Sequence, residues 1–326
     1  MKDKHTPPFG HPSQEGNSYR HVPVMLKEVL ELAGVKKGDK VIDCTLGGAG
    51  YTLALAKAVG DKGQVLAIDL DELAIANAKK LIKEIGAKNI KLIQGNFSDL
   101  QELVPEEFTP VDVVVMDLGL SSAQLDDPRR GFSFQTDAPL DMSFGPNEKD
   151  SKTTVIVNRY RAEDLTKIIR DYGEERFAGR IAQAIIKARP IATTGQLAEV
   201  ISDAVPASYR RGHIHCATRT FQAIRIATND ELKALENVLP QAMRLLKPGG
   251  RLVVVSFHSL EDRIVKHWFR EESKTCHCDA NALICTCDRA PRAELLTKKA
   301  LIATPEEIKI NPRSRSAKLR AIKKLK

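Results

Sequence analysis

The sequence predicts an α/β fold: a mostly parallel sheet covered by helices on both faces, with a largely helical insertion between its fourth and fifth strands. Three observations predict it. Short apolar runs alternate with helical patterns from about residue 41 to 117, the rhythm of a parallel sheet buried on both sides. Three of those runs end in an aspartate: Asp43, Asp69 and Asp117. The rhythm then stops, and only helical spacing follows until a last apolar run begins at Arg251.

Taken in order, a helix is expected from Val22 to Glu31, with Val24, Val29 and Leu32 among its apolar positions. Val41-Ile42 opens a buried strand that ends at Asp43. A glycine-rich turn and a helix through Leu53–Val59 follow. Val65–Ile68 is a second strand, ending at Asp69, and a helix runs over Glu72–Ile85. Ile90–Ile93 and Val111–Met116 are the third and fourth strands. Within 174–189, Phe177, Ile181, Ala184, Ile185 and Ala188 recur at helical spacing. From Ala217 a long helical pattern leads to Leu246. Lys247-Pro248-Gly249-Gly250 is a turn into a buried strand over Arg251–Phe257. Ala317–Ile322 partly alternates apolar and basic residues, as a last edge strand with a charged outer face would. Residues 1–18, rich in Pro, Gly, His and polar side chains, read as disordered. The domain reading is therefore discontinuous: 19–125 and 217–326 form the α/β domain, and 126–216 is the inserted helical domain.

The chain has 326 residues, 42% hydrophobic and 28% charged, as in an ordinary globular protein. Its net charge is +8, and seven basic residues lie between Pro312 and Lys326 with no acid among them. Such a cluster suits a polyanion such as nucleic acid, or is simply a solvated face. No apolar run is long enough to span a membrane, and the first residues resemble no signal or transit peptide. A cytoplasmic protein is the expectation.

A strand, a glycine-rich turn and a helix make a nucleotide-binding crevice beyond the carboxyl ends of the strands. Asp43-Cys44-Thr45-Leu46-Gly47-Gly48-Ala49-Gly50 fills the first turn, where glycines let backbone approach a ligand. Alone, this equally describes a tight turn with no ligand. Asp69 adds weight, because a carboxylate ending the second strand can accept both hydroxyls of a ribose. Asp71 caps the next helix in this reading. The turn is not G-x-G-x-x-G, and Leu246–Leu252 resembles the turn before a late strand in many methyltransferases. Gly95-Asn96-Phe97-Ser98-Asp99 fits a loop that sets a side chain against an adenine, although Phe97 also suits a core role. These features favour S-adenosylmethionine over a nicotinamide dinucleotide.

Beyond Asp117 longer motifs appear: Asp117–Asp126 running into Arg130-Gly131-Phe132-Ser133-Phe134, Pro139–Met142, Tyr172–Arg176, Ala217–Ala223, Ser256–Arg263 and Asn311–Arg320. Together, and in this order, they resemble the bacterial 16S ribosomal RNA (cytosine-N4)-methyltransferase family, the RsmH or MraW type. The resemblance covers residue 21 to the end. It implies a Rossmann-like S-adenosylmethionine methyltransferase sheet with an inserted substrate-recognition domain. It also implies methylation of the exocyclic amine of one cytidine near the decoding centre, and a small ribosomal subunit or its assembly intermediate as partner. Carried over by motif, the cofactor contacts are Ala49, Gly50, Tyr51, Asp69, Phe97, Asp117 and Gln124. Asp117 is also the candidate catalytic residue. Three positions depart from the family pattern: Cys44 replaces a glycine, Tyr51 a histidine, and Ser143 stands where arginine is common.

The cytosine amine is a poor nucleophile, because its lone pair is delocalised into the ring. Positioning supplies much of the rate, and a hydrogen-bond acceptor such as Asp117, or a carbonyl within 118–121, favours the attacking form. The target base must be unstacked and held. Phe132, Phe134, Phe257 and His258 are candidates, with a core role open for Phe257 and a hydrogen-bonded structural role for His258. Arg129, Arg130 and Arg219 can bind phosphate, and Arg219 can instead pair with a carboxylate between domains. Cys276, Cys278, Cys285 and Cys287 can hold structural zinc or form a loop of free thiols; no metal site is assigned. Competing readings are a methyltransferase of another substrate, a catalytically silent RNA-binding or assembly protein, and a nicotinamide-dependent oxidoreductase.

Overall fold

The computed structural model describes residues 23–145, 151–276, 278 and 290–326. The expected disorder over 1–18 lies outside them, as do His277, Cys285 and Cys287 of the cysteine group.

The first half builds the sheet: α1 (Leu26–Ala33), β1 (Lys40–Asp43), α2 (Gly50–Val59), β2 (Gln64–Asp69), α3 (Glu72–Ile85), β3 (Ile90–Gln94), α4 (Leu100–Leu103) and β4 (Val111–Asp117). The helical layer follows: α5 (Ser122–Asp126), α6 (Lys152–Arg159), α7 (Ala162–Gly173), α8 (Ala178–Ala188), α9 (Thr194–Ala204), α10 (Ala207–Arg210) and α11 (Thr218–Asn229). The chain then returns through α12 (Glu231–Leu245), β5 (Leu246–Ser256), α13 (Ser259–Glu272), β6 (Ala293–Leu295), β7 (Leu301–Ile302), α14 (Pro305–Ile310) and β8 (Lys318–Lys324).

Local chemistry sets the boundaries. α1 starts four residues later than the apolar pattern suggests, because Met25 takes a left-handed conformation at φ 52 just before it. α3 is capped by the Asp71 side chain on the Leu73 N–H and closed by Gly86 at φ 67. The long pattern from Ala217 to Leu246 is two helices, broken where Asp230 adopts φ 50.

The sheet order is β3-β2-β1-β4-β5-β8-β6, with β7 also paired to β8. β3 through β5 are parallel. β8 runs antiparallel to β5 on one side and to β6 and β7 on the other. Alternating side chains feed two cores, as strand geometry requires. Ile42, Leu66, Val114, Met116, Leu252 and Val254 face α12 and α13. Val41, Val65, Val113, Val115, Val253 and Val255 face α1 and α2. Helices α6 to α9 and α11 share a separate core with Phe132, Leu140 and Met142. That packing unit runs past residue 216, where the sequence reading ends the insertion.

β8 is not the expected edge strand. It lies inside the sheet, and Leu319, Ala321 and Ile322 are fully buried. Its cations are spent on acids: Lys318 and Arg320 both bind Asp262 of α13, at 3.2 and 2.7 Å. Before it, Arg313 binds Asp126 at 3.0 Å; at its end Lys323 binds Glu294 at 3.6 Å and Lys324 donates to the Leu246 carbonyl at 2.5 Å. Four of the seven cations of the basic run are thus tied to three acids of the fold. No helix among the described residues is long and apolar enough to cross a membrane.

Strand order reverses between β1 and β4, so a crevice opens beyond their carboxyl ends. The core holding those ends together is sensitive to truncation. Phe269 of α13 is 1% exposed among the residues packed under the sheet. Phe269→Ala is expected to cost about 3–5 kcal/mol, read as a lower urea midpoint at unchanged slope.

Candidate functional site

Everything at the crevice hangs on the turn after β1. Asp43 is fully buried at the strand end. It accepts hydrogen bonds from the Thr52 hydroxyl at 2.6 Å and the Thr45 N–H at 3.1 Å. Burial pushes its carboxyl above the ordinary range, against the pull of those donors. Thr45 in turn accepts the Asp117 N–H at 2.6 Å, tying the ends of β1 and β4 together. Asp43 was legible only as a strand end; Thr52, nine residues on and one face of a helix away, was the unread signal.

Two left-handed steps, Gly47 at φ 46 and Ala49 at φ 63, shape the turn. Gly50 is a packing requirement: a Cβ there would stand 2.3 Å from the Pro23 ring. Ala49 is fully buried behind the cavity wall rather than on it. Tyr51 lines the cavity, but its hydroxyl donates to the Val24 carbonyl, which leaves a ligand only its ring and backbone.

Asp69 ends β2 on the same wall. Its carboxylate accepts the N–H groups of Gly47 and Asp71, each at 2.8 Å. Burial, aided by the charges of Asp71 and Asp43, pushes its carboxyl up to about 6, although both N–H donors oppose this. Asp71 caps α3, as expected, and also accepts Gln124 Nε2 and Arg130 Nη1, both at 2.9 Å. Gln124 is positioned by a capping box with Ser121. Phe97 stands on the cavity wall in the turn after β3, half-buried against the sheet core.

Asp117 ends β4, and its Oδ1 is buried without a hydrogen-bond partner. Burial first, then the charges of Asp43 and Glu261, pushes it well above the usual carboxylate range. Glu261 and Glu231, which the sequence reading missed, line the same cavity. Arg225 grips both oxygens of Glu231 at 2.8 Å. Glu261 accepts the Phe257 N–H at 2.8 Å, and His258 Nε2 stands 3.1 Å from it without hydrogen-bond alignment. Glu231, His258 and Glu261 offer ligand atoms within 4.8 Å of one another. Arg225 already supplies a positive charge to Glu231 there. Their signal was weak: acids in a helix read as surface until the fold buries them.

The segment after α5 closes over the cavity. Arg130 donates to the carbonyls of Ser143 at 2.7 Å and Phe144 at 3.1 Å. Asn229 accepts the Phe144 N–H at 2.9 Å and donates to the Met142 carbonyl at 2.7 Å. Phe144 and Asn229 both line the cavity. Arg130 is therefore a buried bridge, not a free phosphate binder, and Arg129 pairs with Asp127 at 2.9 Å. Phe132 stacks on Phe144 and Phe134 packs against Phe221, so both rings serve the helical core. His258 caps α13, and Phe257 packs against the sheet. Arg219 donates to the Glu174 carbonyl at 3.4 Å, while Arg263 holds the Glu174 carboxylate at 2.9 Å.

Six of the seven predicted contacts (Gly50, Tyr51, Asp69, Phe97, Asp117 and Gln124) thus line one cavity. Its wall carries several carboxylates and neither lysine nor arginine among the described residues. That donor set suits a sulfonium cation joined to an adenosine: a carboxylate for ribose hydroxyls, an aromatic ring for adenine, and negative charge for sulfur. A parallel sheet with an antiparallel strand wedged beside its last parallel one, opening on such a cavity, is the architecture of S-adenosylmethionine-dependent methyltransferases. A family model described as the MraW methylase family matches residues 18–325, and the chain belongs to that family. A relative from Symbiobacterium thermophilum named ribosomal RNA small subunit methyltransferase H is 46% identical over 94% of this chain and 98% of its own. One of the same name from Heliobacterium modesticaldum is 42% identical over 94% of this chain and 99% of its own. A solved S-adenosylmethionine-dependent methyltransferase from Aquifex aeolicus superposes with a TM-score of 0.41 at 12% identity, over 93% of this chain and 90% of that one. At that likeness the strand order, not the superposition, carries the fold.

The Arg130–Asp71 pair tests how the cavity is closed, since its side chains are only 13% and 7% exposed. Arg130→Ala leaves Asp71 buried without its cation and is expected to cost about 3–5 kcal/mol. Limited proteolysis should then cut within 130–145 faster than in the parent protein.

Proposed function

We propose that this chain transfers the methyl group of S-adenosylmethionine to the N4 amine of one cytidine in 16S ribosomal RNA, in the decoding region of the small subunit or its assembly intermediate. The observation that carries the reading is Asp117 Oδ1, a buried oxygen with no partner in a cavity walled by carboxylates. The names of the relatives support ribosomal RNA as the substrate.

Bound S-adenosylmethionine supplies a methyl group already activated on its sulfonium. In this reading Asp69 accepts the ribose hydroxyls, and Phe97 packs on the adenine. Gln124 and the backbone of 49–51 complete the cradle, and the acidic wall favours the cationic sulfur. The segment pinned by Arg130 and Asn229 covers part of the cavity with Phe144. Asp117 accepts a hydrogen bond from the cytidine amine, drawing its lone pair out of conjugation. As the nitrogen gains a methyl it must lose a proton. A carboxylate whose proton affinity is raised by burial is a competent acceptor once the positive charge of the bound sulfonium favours its ionised form. The helical layer of 126–216 together with α11 reads the RNA around the target.

The reading is tested by transfer of labelled methyl from S-adenosylmethionine to small subunits lacking the modification, with mass spectrometry of the nucleosides. One N4-methylcytidine per subunit is the expected product. Methyl groups on another atom, or none despite cofactor binding, would displace it. Asp117→Ala is expected to lower transfer by about 10²–10⁴-fold with an unchanged circular dichroism spectrum.

A further inference from the structure

Four of the seven cations in the C-terminal basic run are held by acids of the fold, and a further group of cations lies in the helical layer. A second cleft, of about 410 Å³, is lined by Arg176, Tyr209, His213, Ile214, His215 and Arg219, among others, with no carboxylate on its wall. The acids closest in sequence are already committed. Glu175 is 1% exposed and accepts the Tyr209 hydroxyl at 2.5 Å and the Phe177 N–H at 2.9 Å. Glu174 is held by Ser259 at 2.5 Å and Arg263 at 2.9 Å.

The cations of this cleft are positioned without being neutralised. The Arg176 guanidinium lies 4.8 Å from the Phe177 ring centre and 4.7 Å from that of Tyr209. Stacking on rings orients a guanidinium while leaving its N–H edge to bind phosphate. Arg176, His213 and Arg219 are exposed. The His215 ring is braced by Phe134 at 4.7 Å. Cations beside aromatic faces match a ribose-phosphate strand with its bases turned out.

The cleft is also in register with the cavity. Arg219 is in the first turn of α11, and Asn229, on the cavity wall, is its last residue. Ten residues of helix span about 15 Å, which a single strand crosses in a few nucleotides. Glu174, beside Arg176, is joined to Ser259 and Arg263 of α13, the helix whose first turn brings Glu261 to the cavity.

We propose that this cleft is a second RNA-binding site, which grips the ribose-phosphate strand a few nucleotides from the base that is methylated. The proposal rests on the RNA reading above. Its test uses a fluorescein-labelled 16S ribosomal RNA fragment spanning the decoding region, titrated at several salt concentrations. Arg176→Gln and Arg219→Gln, made separately, are each expected to weaken binding about tenfold and to reduce the salt slope by about one. S-adenosylhomocysteine affinity, measured by calorimetry, should stay at the parent value. Parent affinity and slope in both variants would overturn the proposal. Parent protein that binds the fragment no better than an unrelated duplex would instead remove the RNA reading, and the cleft with it. Ultraviolet crosslinking of the parent protein needs no variant: adducts are expected on the peptide carrying Tyr209 or His213, and adducts confined to other surfaces would count against the site.

Discussion

Desolvated carboxylates at the carboxyl ends of β1, β2 and β4 are the constraint around which this structure is organised. An ionised carboxyl removed from water is costly unless it is hydrogen-bonded or paired. The fold answers this in three ways. Asp43 and Asp69 are fed by backbone donors of the first turn and of the residue capping α3, and by a hydroxyl of α2. Glu231 receives Arg225 as an internal counter-cation. Asp117 holds its proton far more tightly than a free carboxyl does. A cationic ligand in that cavity would relieve the remaining stress, so the same burial favours S-adenosylmethionine.

The sheet explains how these acids come together. Each parallel strand ends on the same edge, and reversal of order between β1 and β4 opens the crevice. The antiparallel β8 shields β5 from becoming an edge, and Asp262 links it to α13. Helix α13 then brings Glu261 to the cavity, with His258 capping its first turn. The helical layer is held by a different core. It touches the site through Arg130, Phe144 and Asn229, and through the Glu174 bridge to α13.

Much of this could be read from residues alone where the signal is local. Val41-Ile42-Asp43 and Val111–Asp117 are short apolar runs with an acid at the end, and they are strands. Asp71 precedes an amphipathic run, and it caps α3. Asp69, Phe97 and Gln124 fell to motif, and the structure places them on one wall. What depended on distant pairing could not be read. The alternating cations of β8 look solvated until Asp262 is brought beside them from 56 residues away. Arg130 looks free until Asp71 is found beneath it. Asp230 breaks α11 from α12 with a left-handed conformation that no glycine or proline announces. Charge followed the same pattern: four cations of the conspicuous C-terminal run are tied to acids brought from elsewhere in the chain, and Arg176 and Arg219, which no run announces, are exposed together at one cleft.

The central claim is that a half-buried, ionisable Asp69 holds the cofactor. It is tested most directly by calorimetric titration of S-adenosylhomocysteine into the protein between pH 5 and pH 8, for the parent and for Asp69→Asn. Protonation of Asp69 removes an acceptor, and its carboxyl titrates at about 6. Parent affinity should therefore hold above that pH and fall by up to about tenfold per unit below it, with Asp69→Asn weaker throughout and nearly flat. Equal affinities with the same pH profile in both proteins would contradict the account.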